Sequence, residues 1–201
     1  TLKFLWSPFL EMFKTKKFFV VFTQIVSGVG FGLVALSLQL PHFFACSIAL
    51  LAVIAFSGAT HDIATDGVYM TELSKSDQAK YIGWQGAFYN IAKIVASGGL
   101  VYLAGWLVKR FGGVEGASGE VVYEANVHAW MIVMFVMAIV MISLGLYHTR
   151  MLPSGGAATS EATSFKETFD KLVEVILDFF KKKHIWYYIA FIILYRFAEG
   201  F

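Results

Sequence analysis

Charged residues in this chain gather in short clusters, and long uncharged stretches separate them. From Phe18 to Leu40 there is no charge, and Gln24 and Gln39 are the only amide side chains. A second stretch runs from Pro41 to His61 and continues at helical spacing through Asp62 and Asp66 toward Leu73. A third, Tyr81 to Val108, is interrupted only by Lys93, and a fourth runs from Ala125 to Thr149. Ile185 to Tyr195 begins another before Arg196 and Glu199, while Phe4, Leu5, Trp6, Phe9 and Leu10 resemble the tail of an earlier helix. A transmembrane helix needs about 20 mainly apolar residues to cross roughly 30 Å of hydrocarbon. The pattern therefore predicts an all-α integral membrane protein with four complete spans and partial ones at both ends. It is under way at Thr1 and still running at Phe201, as expected for a fragment of a longer chain.

Composition agrees with the pattern. Of 201 residues, 58% are hydrophobic and 15% charged, against roughly 25% charged in soluble domains. A soluble enzyme, a disordered tail and a disulfide scaffold are excluded on that ground, the last also because Cys46 is the single cysteine. Lys14, Lys16, Lys17, Lys75, Lys80, Arg150, Lys166, Lys171, Lys181, Lys182 and Lys183 fall in alternate connections, whereas Lys109 and Arg110 stand alone in the others. The positive-inside rule places the Lys14, Lys75 and Lys181 connections in the cytoplasm. The bases form no continuous stripe, so nucleic acid is not an expected partner.

The connection after the fourth span is long. Gly155 to Ser160 reads as a flexible linker. Ser164 and Glu167 form a capping box, and Phe165, Phe169, Leu172, Val173, Ile176, Phe179 and Phe180 then recur at helical spacing. An amphipathic helix on the cytoplasmic face is expected, in contact with lipid headgroups or acting as a solvated connector. The expected organisation is a transmembrane bundle over residues 1–150, a cytoplasmic loop over 151–184 and the start of a further helix over 185–201.

Ionisable groups inside spans single out the candidate site. A charge at the helix centre costs about 2.5–3.5 kcal/mol even on lenient insertion scales, and it usually marks a pathway or a pair. Asp62 and Asp66 share one helix face, and two partly desolvated carboxylates there would titrate as a coupled pair suited to carrying protons. With a hairpin turning near Lys75 and Ser76, Lys93 would sit about 6 Å deeper than Asp62 by helical rise. Asp62 is then its nearer partner, either as a structural ion pair or in a functional cluster. His61, Tyr69, Gln85, Tyr89 and Asn90 surround this level as candidate lining of a wet cavity. Small residues such as Gly28, Gly30, Gly32, Gly98 and Gly99 suit close helix packing or a moving gate. Neither a metal site nor a cofactor is expected, and no nucleophile–base–orienter set suggests an enzyme.

Ala59-Thr60-His61-Asp62-Ile63-Ala64-Thr65-Asp66-Gly67, followed by Thr71-Glu72-Leu73, resembles the fourth-helix signature of the muropeptide-permease (AmpG-like) branch of the major facilitator superfamily. Leu5-Trp6-Ser7-Pro8, with Glu11 and the Lys14, Lys16 and Lys17 cluster, is similar to the branch's loop between helices two and three. Leu194-Tyr195-Arg196-Phe197-Ala198-Glu199 is similar to its seventh-helix start. The resemblance spans nearly the whole chain, from the end of helix two to the start of helix seven.

It implies a twelve-helix carrier of the bacterial inner membrane, working by alternating access and importing cell-wall sugar–peptides with protons. Asp62 and Asp66 then take the proton-coupling positions. Lys93, His61, Tyr89, Asn90, Arg196 and Glu199 face the small-molecule substrate, and the absent second half of the carrier completes the cavity. The branch commonly has Gln where His61 stands and Arg where Asn90 stands, with Lys93 offering a base three residues later. A carrier for another anionic or acylated metabolite, such as an acetyl-coenzyme-A-like compound or a sugar phosphate, is the alternative. A non-transporting receptor acting through residues 160–183 is the third reading.

Overall fold

Lipid supplies no partners for backbone N–H and C=O groups, so an apolar span must satisfy them within its own helix. The computed structural model describes residues 10, 14–156, 170, 173–174, 177–178 and 180–199, and they are helical without a strand. Four helices are long and apolar enough to cross a membrane, as in a multi-pass membrane protein. α1 is Lys16–Ser37 and α2 Phe43–Glu72. The third span is α3, Lys75–Ile94, continued through a π-helical turn at Val95–Gly99 into α4, Leu100–Arg110. α5 is Gly119–Met151, and α6, Ile185–Glu199, begins a further apolar segment. The chain divides into two units, Lys14–Ala158 and a second made of Thr1–Phe13 with Thr159–Phe201.

Local chemistry sets the helix starts. Thr15 accepts a hydrogen bond from the Phe18 amide at 3.3 Å at the head of α1. At the head of α3, the Ser74 hydroxyl accepts from the Asp77 amide at 3.1 Å and donates to the Asp77 carboxylate at 2.6 Å. Ser118 caps α5. These side chains satisfy amides that an α-helix leaves without partners. The turn between α2 and α3 is Leu73–Ser74 rather than Lys75–Ser76. Gln78 explains the tight closure, donating from Nε2 to the carbonyls of Leu73 at 2.9 Å and Met70 at 3.2 Å.

Within the first unit, α1 packs against both α2 and α5, and α4 packs against α5. Lipid tails are as apolar as leucine, so close approach and interhelical hydrogen bonds do the joining. Ser27 donates to Ser57 at 3.0 Å, and Ser57 donates onward to the Thr23 carbonyl at 2.9 Å, tying α1 to α2. Val20, Ala64 and Val68 are buried beside this contact, with Phe19 and Leu152 against them. Ala104 and Leu107 meet Ala129 and Val133 where α4 crosses α5. α3 has no buried residue along its length.

The end of α5 turns back onto the starts and ends of its neighbours. The Lys17 amide donates to the Ser154 carbonyl at 3.2 Å, and the Gly155 amide donates to the Glu72 carboxylate at 2.7 Å. Gly155 has φ +73, and a Cβ there would stand 2.8 Å from Val68 Cγ2 and 2.9 Å from Lys16 Cβ. The expected flexible linker is thus anchored at its first residue, because only glycine fits that turn between Lys16 and Val68. Residues 157–169 and most of the expected amphipathic helix lie outside the described residues. The same contacts bring the Lys16, Glu72 and Arg150 ends of three helices to one side, as alternating basic connections require.

In the second unit, Lys181 pairs with Asp178 at 3.7 Å, both well exposed. His184 adopts φ 65 immediately before α6.

Candidate functional site

The packing of α2 decides which of its faces remains open. Ser57, Thr60, Ala64, Gly67 and Val68 are its buried residues, at steps of three or four except for the adjacent Gly67 and Val68, on the side toward α1. Asp62 and Asp66 fall outside that stripe, and both are exposed. The α1 contact uses a different face of the helix. At i and i+4 their Cβ atoms are about 5–6 Å apart, close enough for one charge to act on the other.

Lys93, Tyr89 and Asn90 lie on α3 and are likewise exposed, as is Gln85. The Lys93 carbonyl accepts from Ser97 Oγ at 2.7 Å, inside the π-helical turn that follows. Asn90 turns its amide back to its own helix, donating to the Gly86 carbonyl at 3.0 Å. The Tyr69 hydroxyl donates to the Gln78 carbonyl at 2.7 Å, so it serves the α2–α3 turn. A π turn introduces one extra residue and frequently sits at functional positions. Here it lies directly beyond Lys93, with Gly98 and Gly99 in its last two places. Arg196 and Glu199 fall within α6, and their side chains lie outside the described residues. Among the described residues no cluster suited to holding a metal is present.

His61 parts company with the carboxylates. It is half-buried, and its Nε2 is fully buried without a hydrogen-bond partner among the described residues. Its Nδ1 lies 3.5 Å from Thr65 Oγ1. Asp62 and His148 are both near enough for their charges to act on it. His148 is on α5, with Nδ1 2.9 Å from Gln24 Oε1 of α1. Gln24 itself is 3% exposed. Sequence reasoning missed this pair. The available signal was an uncharged amide within a span, which needs an internal partner in lipid.

No protein-family model matches the chain, and comparison with curated proteins and with solved structures returned no significant match.

Proposed function

We propose that this chain is part of a proton-coupled secondary transporter of the major facilitator type, set in a bacterial inner membrane. In this reading it imports muropeptide-like sugar–peptides by alternating access. One observation carries the reading. Asp62 and Asp66 stand a turn apart within a membrane-spanning helix, on the side that does not pack against α1. Carboxylates are costly at membrane depth and are retained there where they meet a pathway, a cavity or each other.

Lys93 on the open side of α3 supplies the positive charge for an anionic substrate, with Tyr89 and Asn90 one turn away. Arg196 and Glu199 enter through the sequence resemblance and face the same substrate from the start of the next bundle. The test is uptake into proteoliposomes under an inward proton gradient, using a labelled muropeptide. Asp62→Asn is expected to abolish stimulation by the gradient while leaving exchange of preloaded substrate; unchanged stimulation removes Asp62 from coupling.

Lys93, a base one turn away from the family's usual position, favours a second substrate class, an anionic or acylated metabolite. Competition by a sugar phosphate or an acyl-coenzyme-A compound, without competition by muropeptide, would replace the first substrate by the second.

A further inference from the structure

A second polar site lies toward the packed interior, where α1, α2 and α5 meet. Its members are Gln24, His61 and His148, one from each helix. Gln24 and His148 satisfy one another across the α1–α5 contact at 2.9 Å. His61 is left with a buried Nε2 that no group among the described residues meets.

The deficit is independent of tautomer. A neutral imidazole presents one donor and one acceptor, and an imidazolium presents two donors. With the proton on Nδ1, that nitrogen turns to Thr65 Oγ1 and Nε2 is a bare buried acceptor. With the proton on Nε2, a buried donor points at nothing. When both are protonated the donor is again without an acceptor. Leaving such a group unmet carries its full desolvation penalty, and buried polar atoms in proteins are otherwise met by protein or by ordered water. Water is the ligand of matching size and chemistry, acting as donor to one tautomer and acceptor from the other. The neighbourhood is polar: His148 comes from α5 and the neutral amide of Gln24 from α1. A water held among such groups typically makes two to four hydrogen bonds.

We propose that His61 Nε2 binds water at the α1–α2–α5 junction, making this a hydrated intramembrane site through which His61 exchanges its proton with solvent. The site is distinct from the Asp62 and Asp66 face, since it lies on the packed side of α2. The inference stands apart from the transport reading, because it concerns hydration of one imidazole and not flux.

The experiment is water-edited solid-state NMR of the ¹⁵N-histidine-labelled protein in lipid bilayers. His61 is assigned through its backbone correlation to Asp62, so no variant has to fold. His42, exposed at the head of α2, provides the fast reference, and the fully buried Val133 the slow one. The expected result is transfer of water polarisation to His61 Nε2 as rapid as that to His42. Transfer as slow as that to the Val133 methyls would overturn the proposal, whatever the transport assay shows.

Discussion

Gly28→Ala tests how closely α1 and α5 must approach. A Cβ at position 28 would stand 2.6 Å from Ile142 Cγ1, 3.1 Å from the Ala138 carbonyl oxygen and 3.2 Å from the Ile142 amide nitrogen. The side-chain contact relaxes by rotation; the two backbone contacts relax only if the helices separate. Gly32, one turn along α1, meets only Ala138 Cβ at 3.9 Å, an ordinary contact. Both changes add the same methyl to the same helix, so intrinsic helix propensity cancels in the comparison. What remains is overpacking, typically about 1–3 kcal/mol.

Gly30 offers an intermediate case, because its added Cβ meets Ile54 Cγ1 at 2.7 Å and Cδ1 at 3.1 Å, both on a flexible side chain. Reversible unfolding in mixed micelles, read by tryptophan fluorescence, gives the stability of each variant. The expected order of loss is Gly28→Ala, then Gly30→Ala, then Gly32→Ala close to the parent. Equal stability of the Gly28 and Gly32 variants would refute the α1–α5 geometry.

Two further outcomes follow from the same packing. Gln24→Leu or His148→Leu alone strands a buried polar partner and is expected to cost about 1–3 kcal/mol, whereas the double variant recovers most of that loss; simple additivity in the unfolding assay would remove the hydrogen bond between them. Gly155→Ala forces a side chain into a left-handed turn against Val68 and Lys16, and is expected to destabilise by about 1–3 kcal/mol and to speed protease cleavage near residue 155; unaltered cleavage and stability would mean that the chain after α5 is not anchored there.

Much of the candidate site was legible residue by residue. Asp62, Asp66 and Lys93 stand out because a charge in a long uncharged run is conspicuous at any position, and the structure keeps all three on membrane-length helices. Their surroundings were not legible. Tyr69 faces the same part of the sequence pattern as Tyr89, yet its hydroxyl is consumed by the α2–α3 turn. His61 adjoins Asp62 in sequence, but successive helix positions point in different directions, and only the contact with α1 decides which of the two is buried. Gln24 and His148 are separated by 124 positions, and neither carries a formal charge to draw notice.

The number of spans, their lengths and the pairing of basic connections on one side follow from sequence alone, because transfer into lipid acts on each residue locally. Which side of each span packs is a different matter. These helices are apolar nearly all round, so no amphipathic stripe marks the contact face. That choice rests on where a glycine lets a backbone approach and where a hydroxyl, amide or imidazole finds a partner on another helix. Both conditions depend on residues far apart in the chain, and only the tertiary structure brings them together.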